Sequence, residues 1–269
     1  MTHGTGGEGG VGPPALYFAL ALAWSWSFWG ILVATGADPW APGWNALLYA
    51  GGAGPLLAGL AVAWRAGALG KLGRRLVDPC RIRGVWWLAV LGMVPAIELG
   101  AAASAAAAGA GPAELLAALG AGLAAPAGFL ATAGFVLLLG PLPEEIGWRG
   151  VALDALQARL APVPASLLLG FGWALWHAPL FLMAGYYAPF GGAPAPGWFL
   201  WDILTLTLLI TWVHNHTRRS LLAAVLMHFL ANFSGEIVAA SEAGDRIASV
   251  LTTAVALAVA ATGGLRRPA

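Results

Sequence analysis

Charge is what this sequence has least of. Asp, Glu, Lys and Arg make up 9% of its 269 residues, against roughly 25% in soluble globular domains. Thirteen basic and twelve acidic residues leave a net charge of +1. There is no basic surface for a polyanion, so nucleic-acid binding is excluded. A single cysteine, Cys80, rules out an internal disulfide framework and any cysteine-rich zinc or iron–sulfur site. The N-terminal stretch MTHGTGGEGGVGPP has no Lys or Arg, and so lacks the basic region that opens a signal peptide. Internal repeats are not evident.

Apolar residues fill the space that charge leaves. They account for 59% of the chain, and the mean hydropathy is +0.78. A water-soluble fold of 27.4 kDa cannot bury that much apolar surface, and a disordered chain would not carry it. The fold class expected is an all-α, polytopic transmembrane helix bundle. About 20 apolar residues cross about 30 Å of hydrocarbon, and eight such stretches stand out, at 15–35, 44–64, 85–108, 123–141, 164–184, 197–213, 220–240 and 247–264. Residues 1–14 form a tail, 15–264 one transmembrane domain, and 265–269 a basic C-terminal tail. Gly51, Gly52, Gly54, Ala58 and Gly59 suit close helix packing.

Orientation follows from the arginines. Arg65, Lys71, Arg74, Arg75, Arg81 and Arg83 crowd the loop after the second span, and such residues collect on the cytoplasmic side. Alternating from there puts both termini in the cytoplasm and leaves only Arg246 of the 13 basic residues outside.

Ionisable groups inside spans are costly and face the bundle interior or a water-filled cavity. Three segments carry them. In Pro141-Leu142-Pro143-Glu144-Glu145, two prolines should end the fourth span, with Pro143 in the first turn of a helix running to about Leu160. On that helix Glu145 and Arg149 form an i,i+4 pair, while Glu144 points about 100° away and has no partner in its own segment. First-turn carboxylates can equally serve the helix dipole alone. The second segment places His177 inside an apolar span, one turn after Trp173, with Pro179 as a candidate kink. His177 could also be a core histidine bonded to a carbonyl. The third places His228 and Asn232 on one helix face, where they could act on one substrate atom or bond across a helix interface. Taken together, the carboxylate, two imidazoles and an amide are the parts that activate water and stabilise an oxyanion.

These motifs resemble those of the CPBP family of intramembrane proteases, which includes the CAAX prenyl endopeptidase and bacterial Abi or bacteriocin-processing proteins. The family pattern is EExxxR, FxxxH, then HxxxN. The chain reads Glu144-Glu145-x-x-x-Arg149, Trp173-x-x-x-His177 and His228-x-x-x-Asn232, with the similar stretch at about 123–240. The resemblance implies an endopeptidase acting on a membrane-associated protein or peptide. Glu144 with His177 would activate water, His228 and Asn232 would stabilise the oxyanion, and Glu145 with Arg149 would hold the cluster in shape. Trp173 replaces the usual Phe, from which altered packing is expected rather than lost chemistry. The family implies either a metal-free glutamate mechanism or a divalent metal such as zinc, held by Glu144, His177 and His228 as a His₂Glu set. HExxH is absent, so spacing adds no support for metal.

Depth constrains the site. Counting about 1.5 Å per residue puts His228 about 12 Å and His177 about 20 Å from the cytoplasmic end, with Glu144 close to the inner boundary. Convergence then requires the Glu144 segment to bend back into the bundle, or the fifth span to start later. A cavity open to the cytoplasm is expected. The location expected is the plasma membrane of a bacterium, given Lys71 as the lone lysine and the Ala, Gly and Pro bias of a GC-rich genome. His214 and His216 read as interfacial, and Glu98 as a residue that could line the same cavity. A non-catalytic membrane partner or immunity protein of the same fold is the alternative function. A transporter fits less well, because no paired broken helices are seen. Rhomboid-type GxSG and aspartyl GxGD motifs are absent.

Overall fold

The computed structural model describes residues 14–109, 124–237, 242–262 and 265. The tail before Pro14 and the basic C-terminal tail expected from the sequence, with Arg266 and Arg267, lie outside the described residues. Among the described residues every regular element is helical. In chain order they are α1 (Pro14–Thr35), α2 (Asn45–Gly52), α3 (Gly54–Arg65), α4 (Leu69–Val77) and α5 (Trp86–Ala107). Then come α6 (Pro126–Leu139), α7 (Pro141–Gly147), a π-helical turn at Trp148–Ala152, α8 (Leu153–Gln157), α9 (Pro162–Trp176) and α10 (Ala178–Leu182). The last three are α11 (Pro196–His216), α12 (Leu221–Ile237) and α13 (Glu242–Ala261).

Seven helical stretches are long and apolar enough to cross a membrane, and the apolar helix Leu221–Ser234 is shorter. The protein is an integral membrane helix bundle. The 17 residues of α12, within the stretch expected at 220–240, reach about 25 Å.

Two helix breaks lie beside the polar residues. The stretch Pro126–Gln157 is one apolar run of 32 residues, interrupted at Gly140, whose φ of −120° and ψ of −93° are not helical. The new helix starts at Pro141, with Pro143 in its first turn as expected, because Pro141 has no N–H to leave unbonded there. The chain then runs on through the π turn and α8. Glu144 therefore sits halfway along the run and not at the inner boundary expected from the sequence. The second break follows α9, where His177 separates it from α10 and Pro179 occupies the first turn.

Small residues set the helix spacing around α7, which packs against α3 on one side and α12 on the other. A Cβ on Gly59 of α3 would lie 2.9 Å from Gly147 Cα. One on Gly147 would overlap the Pro55 carbonyl and the Tyr17 hydroxyl. The helices approach this closely only because both residues lack side chains. Gly51 and Gly54 are closed in by Trp29 and Ser25 in the same way, whereas Gly52 meets nothing within 4 Å.

The two ends of the bundle differ in charge. At one end α4 is pinned by Arg75, which is buried among polar groups of three other segments. Its Nη1 bonds Asp154 at 2.7 Å, its Nε the Arg219 carbonyl at 2.7 Å, and its Nη2 donates to His214 Nε2 at 3.2 Å. Burial pulls the Arg75 guanidinium below its ordinary pKa, and the Asp154 carboxylate opposes that shift. Gln157 and Asn215 exchange two amide hydrogen bonds beside this cluster. His214 is thus fully buried, not interfacial as expected. His216 stacks on Trp86, with ring centroids 4.5 Å apart. At the other end, the loops that follow α1 and α10 are joined by Trp40, whose indole N–H donates to the Tyr186 carbonyl at 3.0 Å.

Candidate active site

Glu145 and Arg149 lie one turn apart, and both are wholly buried. Arg149 Nη1 bonds Glu145 Oε1 at 2.6 Å, and His228 Nδ1 bonds the same oxygen at 2.9 Å. A carboxylate buried in apolar surroundings persists only when paired and hydrogen-bonded, and Glu145 has both kinds of partner. The contact also sets the histidine: Nδ1 carries the proton it gives to the carboxylate, leaving Nε2 for other work.

Glu144 points elsewhere, as the 100° step requires. Its Oε2 accepts a hydrogen bond from Trp173 Nε1 at 2.7 Å. Trp173 contacts the other members as well. The Arg149 guanidinium lies over its ring at 4.9 Å, and His228 packs edge-on against it with centroids 4.9 Å apart. Its carbonyl accepts from His177 Nδ1 at 2.9 Å. His177 therefore makes the carbonyl contact of an ordinary core histidine, and the same contact leaves Nε2 as the ring's lone pair when the imidazole is neutral.

A cavity of about 550 Å³ adjoins this cluster, and Glu144, His177 and Asn232 form part of its wall. Asn232 and Glu144 both flank Gly140: a Cβ there would lie 3.6 Å from Asn232 Nδ2 and 3.9 Å from Glu144 Oε1. Asn232 is exposed and Glu144 nearly buried. His228 is not part of the wall; it stands behind it, between Glu145 and Trp173. The rest of the wall is mainly apolar and aromatic, with Trp29, Tyr49, Phe135 and Trp176 among its members. Glu98 does not line it; its charged neighbours are Asp202 and Asp245.

The cavity reaches Trp40, Tyr186, Pro189 and Phe190. Those residues belong to the loops after α1 and α10, at the helix ends opposite the arginines.

Several supporting residues were not visible in the sequence. Trp176 packs against His177 at a centroid distance of 4.6 Å, and its N–H donates to Ser25 Oγ at 2.6 Å. Ser25 in turn donates to the Gly51 carbonyl at 2.7 Å. Trp26 Nε1 bonds the Trp176 carbonyl at 3.1 Å. Ser25, Trp26 and Gly51 come from the first two spans, outside the stretch that carries the motifs. A serine between two tryptophans in a spanning helix was the available signal.

In the set Glu144, His177 and His228, each histidine has its Nδ1 on a protein acceptor, and Glu144 accepts an indole N–H. Among the described residues no group of three or more His, Cys, Asp or Glu is placed to hold a metal ion.

Fold and site define the class first: a membrane-spanning helix bundle with a polar cluster buried at mid-depth beside a cavity. Residues 126–234, which span α6 to most of α12, match the family described as Type II CAAX prenyl endopeptidase Rce1-like. Through this segment the chain is similar to the CAAX proteases. It is also similar to CAAX prenyl protease 2 of Methanococcus maripaludis, at 40% identity over 111 residues. The alignment takes in 40% of this chain and 41% of the relative, so it spans less than half of either protein.

Proposed function

We propose that the protein is an intramembrane endopeptidase that hydrolyses a peptide bond in a membrane-associated protein or peptide. The observation that carries this is the meeting of Glu144, His177 and Asn232, from three separate helical segments, on the wall of one cavity. The family match supports the reaction class, and the relative's name, CAAX prenyl protease 2, supports a protein substrate.

In this reading Glu144 takes a proton from a water molecule, with His177 Nε2 orienting that water. The hydroxide formed adds to the peptide carbonyl. The Asn232 amide donates to the developing oxyanion, and His228, one turn earlier and behind the wall, supports the site through Glu145 and Trp173. Collapse of the tetrahedral intermediate breaks the C–N bond. Glu144 returns its proton to the leaving amine, giving a free carboxylate and a free amine. Glu145 and Arg149 touch no substrate; they hold His228 and Trp173 in place.

The test is hydrolysis of a library of apolar peptides by purified protein in lipid nanodiscs. Glu144→Gln and His177→Ala are expected to lower the rate by roughly 10²–10⁴, with Lys71→Ala, at the exposed face of α4, unchanged. Because no step passes through a metal, treatment with a strong chelator should leave the rate as it was. Wild-type turnover by Glu144→Gln would overturn the reading.

A further inference from the structure

The turn between α11 and α12 has a backbone that its residues do not favour. Arg218 and Arg219 have φ of 51° and 56°, in the left-handed region that glycine enters freely and L side chains enter at a cost. Two guanidiniums in succession are thus held where glycine would suit the chain better. Neither arginine is part of the cavity wall, and the proposed reaction does not use them.

Four arginines meet at this turn. Arg81 Nη1 donates to the Arg218 carbonyl at 2.7 Å, and Arg218 Nη2 donates to the Cys80 carbonyl. Arg75 Nε donates to the Arg219 carbonyl at 2.7 Å, and the charges of Arg219 and Arg81 both act on it. The carboxylates paired with the group are Asp78, 3.5 Å from Arg81, and Asp154, at 2.7 Å from Arg75 and 3.7 Å from Arg219. Four guanidiniums against two carboxylates leave two positive charges in excess. Arg75 is buried on protein acceptors, whereas Arg218 is exposed and Arg81 and Arg219 are partly so.

The height of the cluster in the bundle matches that of lipid headgroups. Arg218 and Arg219 directly follow the last turn of the span α11, and Arg81 lies shortly before Trp86, where the span α5 begins. Just inside them, Trp86 packs edge-on against Trp212 at 4.9 Å and stacks on His216 at 4.5 Å. Tryptophans at span ends settle at the membrane–water interface. Val77 and Val85, on either side of the Asp78–Arg81 stretch, are 72% and 69% exposed, and so offer apolar surface beside the cations. A soluble anion would have use for the charges but none for the valines.

From these observations we infer that Arg81, Arg218 and Arg219 form a binding site for the headgroup phosphate of an anionic phospholipid. The forked N–H groups of arginine match phosphate oxygens, and the phosphate supplies counter-charge that Asp78 and Asp154 leave unmet. A zwitterionic headgroup brings its own cation and would not relieve the excess. The bound lipid ties the α11–α12 turn to the loop before α5. This site lies apart from the cavity and does not depend on the endopeptidase reading.

The experiment is native mass spectrometry of the full chain in detergent, titrated with equal amounts of phosphatidylglycerol and phosphatidylcholine. Preferential retention of phosphatidylglycerol is expected. Arg218→Gly and Arg219→Gly, made separately, each remove one guanidinium and suit the left-handed backbone. Both should melt no lower than the wild type without lipid, and each should bind phosphatidylglycerol about fivefold more weakly. Lys71→Ala, which removes a cation from the same end but outside the cluster, should bind as the wild type does. Equal retention of the two lipids, wild-type affinity in both glycine variants, or an equal loss in Lys71→Ala would overturn the inference. Displacement of the lipid by millimolar inorganic phosphate would overturn it too, since the site would then be one for free phosphate.

Discussion

At the scale of single residues, Trp173 holds the site together through contacts that a phenylalanine could supply only in part. A Phe ring would still pack against His228 and lie beneath Arg149. It has no N–H for Glu144, and that carboxylate is 7% exposed, with little water to replace the bond. Hydrogen bonds to charged groups are worth about 1.5–3 kcal/mol. Trp173→Phe is therefore expected to lower unfolding stability by about that amount. The same change made on a Glu144→Ala background should cost much less, because the acceptor has gone. Thermal or denaturant unfolding of the four proteins in detergent checks this double-mutant cycle, and equal costs on both backgrounds would contradict the bond's role. Sequence pattern identified Trp173 as a supporting residue and expected a packing change. What it could not show was where the indole N–H points, since that depends on how α9 faces α7.

Among elements, the position of α7 is decided by glycine on one side and by buried charge on the other. Gly147→Ala would push a methyl into the Pro55 backbone, which cannot swing aside as a side chain does. Overpacking of this kind costs typically about 1–3 kcal/mol, and the shift would also move Glu144 and Glu145 away from Trp173 and His228. Reduced stability together with reduced turnover is the expected outcome; stability lost with full activity retained would mean that the α3–α7 spacing does not set the site. The Arg75 cluster fixes the π turn and α8 from beneath, through Asp154 and the Gly150 carbonyl. Arg75→Ala leaves Asp154 buried without its main partner, a loss of about 3–5 kcal/mol, whereas Lys71→Ala on the exposed face of the same helix should leave the melting temperature unchanged. The spans and the i,i+4 pair of Glu145 and Arg149 were legible in the sequence because hydropathy and helical period are local properties. The break at Gly140 and the burial of Arg75 and His214 were not. A glycine between a leucine run and a proline is compatible with several backbone paths, and an arginine in a basic loop gives no sign that a distant aspartate will receive it.

For the molecule as a whole, depth is the property that unites these observations. Water and peptide must meet a carboxylate inside a hydrocarbon-thick layer, and only a cavity at mid-depth lets that happen without exposing the cluster to lipid. The composite run from α6 to α8 sets Glu144 at that depth, the break after α9 brings His177 to it, and α12 brings Asn232. The motif order was enough to suggest this set of residues. Its arrangement needed the fold, which put His228 behind the wall and Glu144, His177 and Asn232 on it. The most direct test of the endopeptidase proposal is terminal-peptide mass spectrometry on host membranes, comparing wild type with Glu144→Gln at matched expression. New peptide termini present only with the wild type are the expected result, and they would identify the substrate and the bond together. Identical sets of termini, with both proteins folded and in the membrane, would contradict proteolysis and leave a non-catalytic partner of the same fold as the better reading.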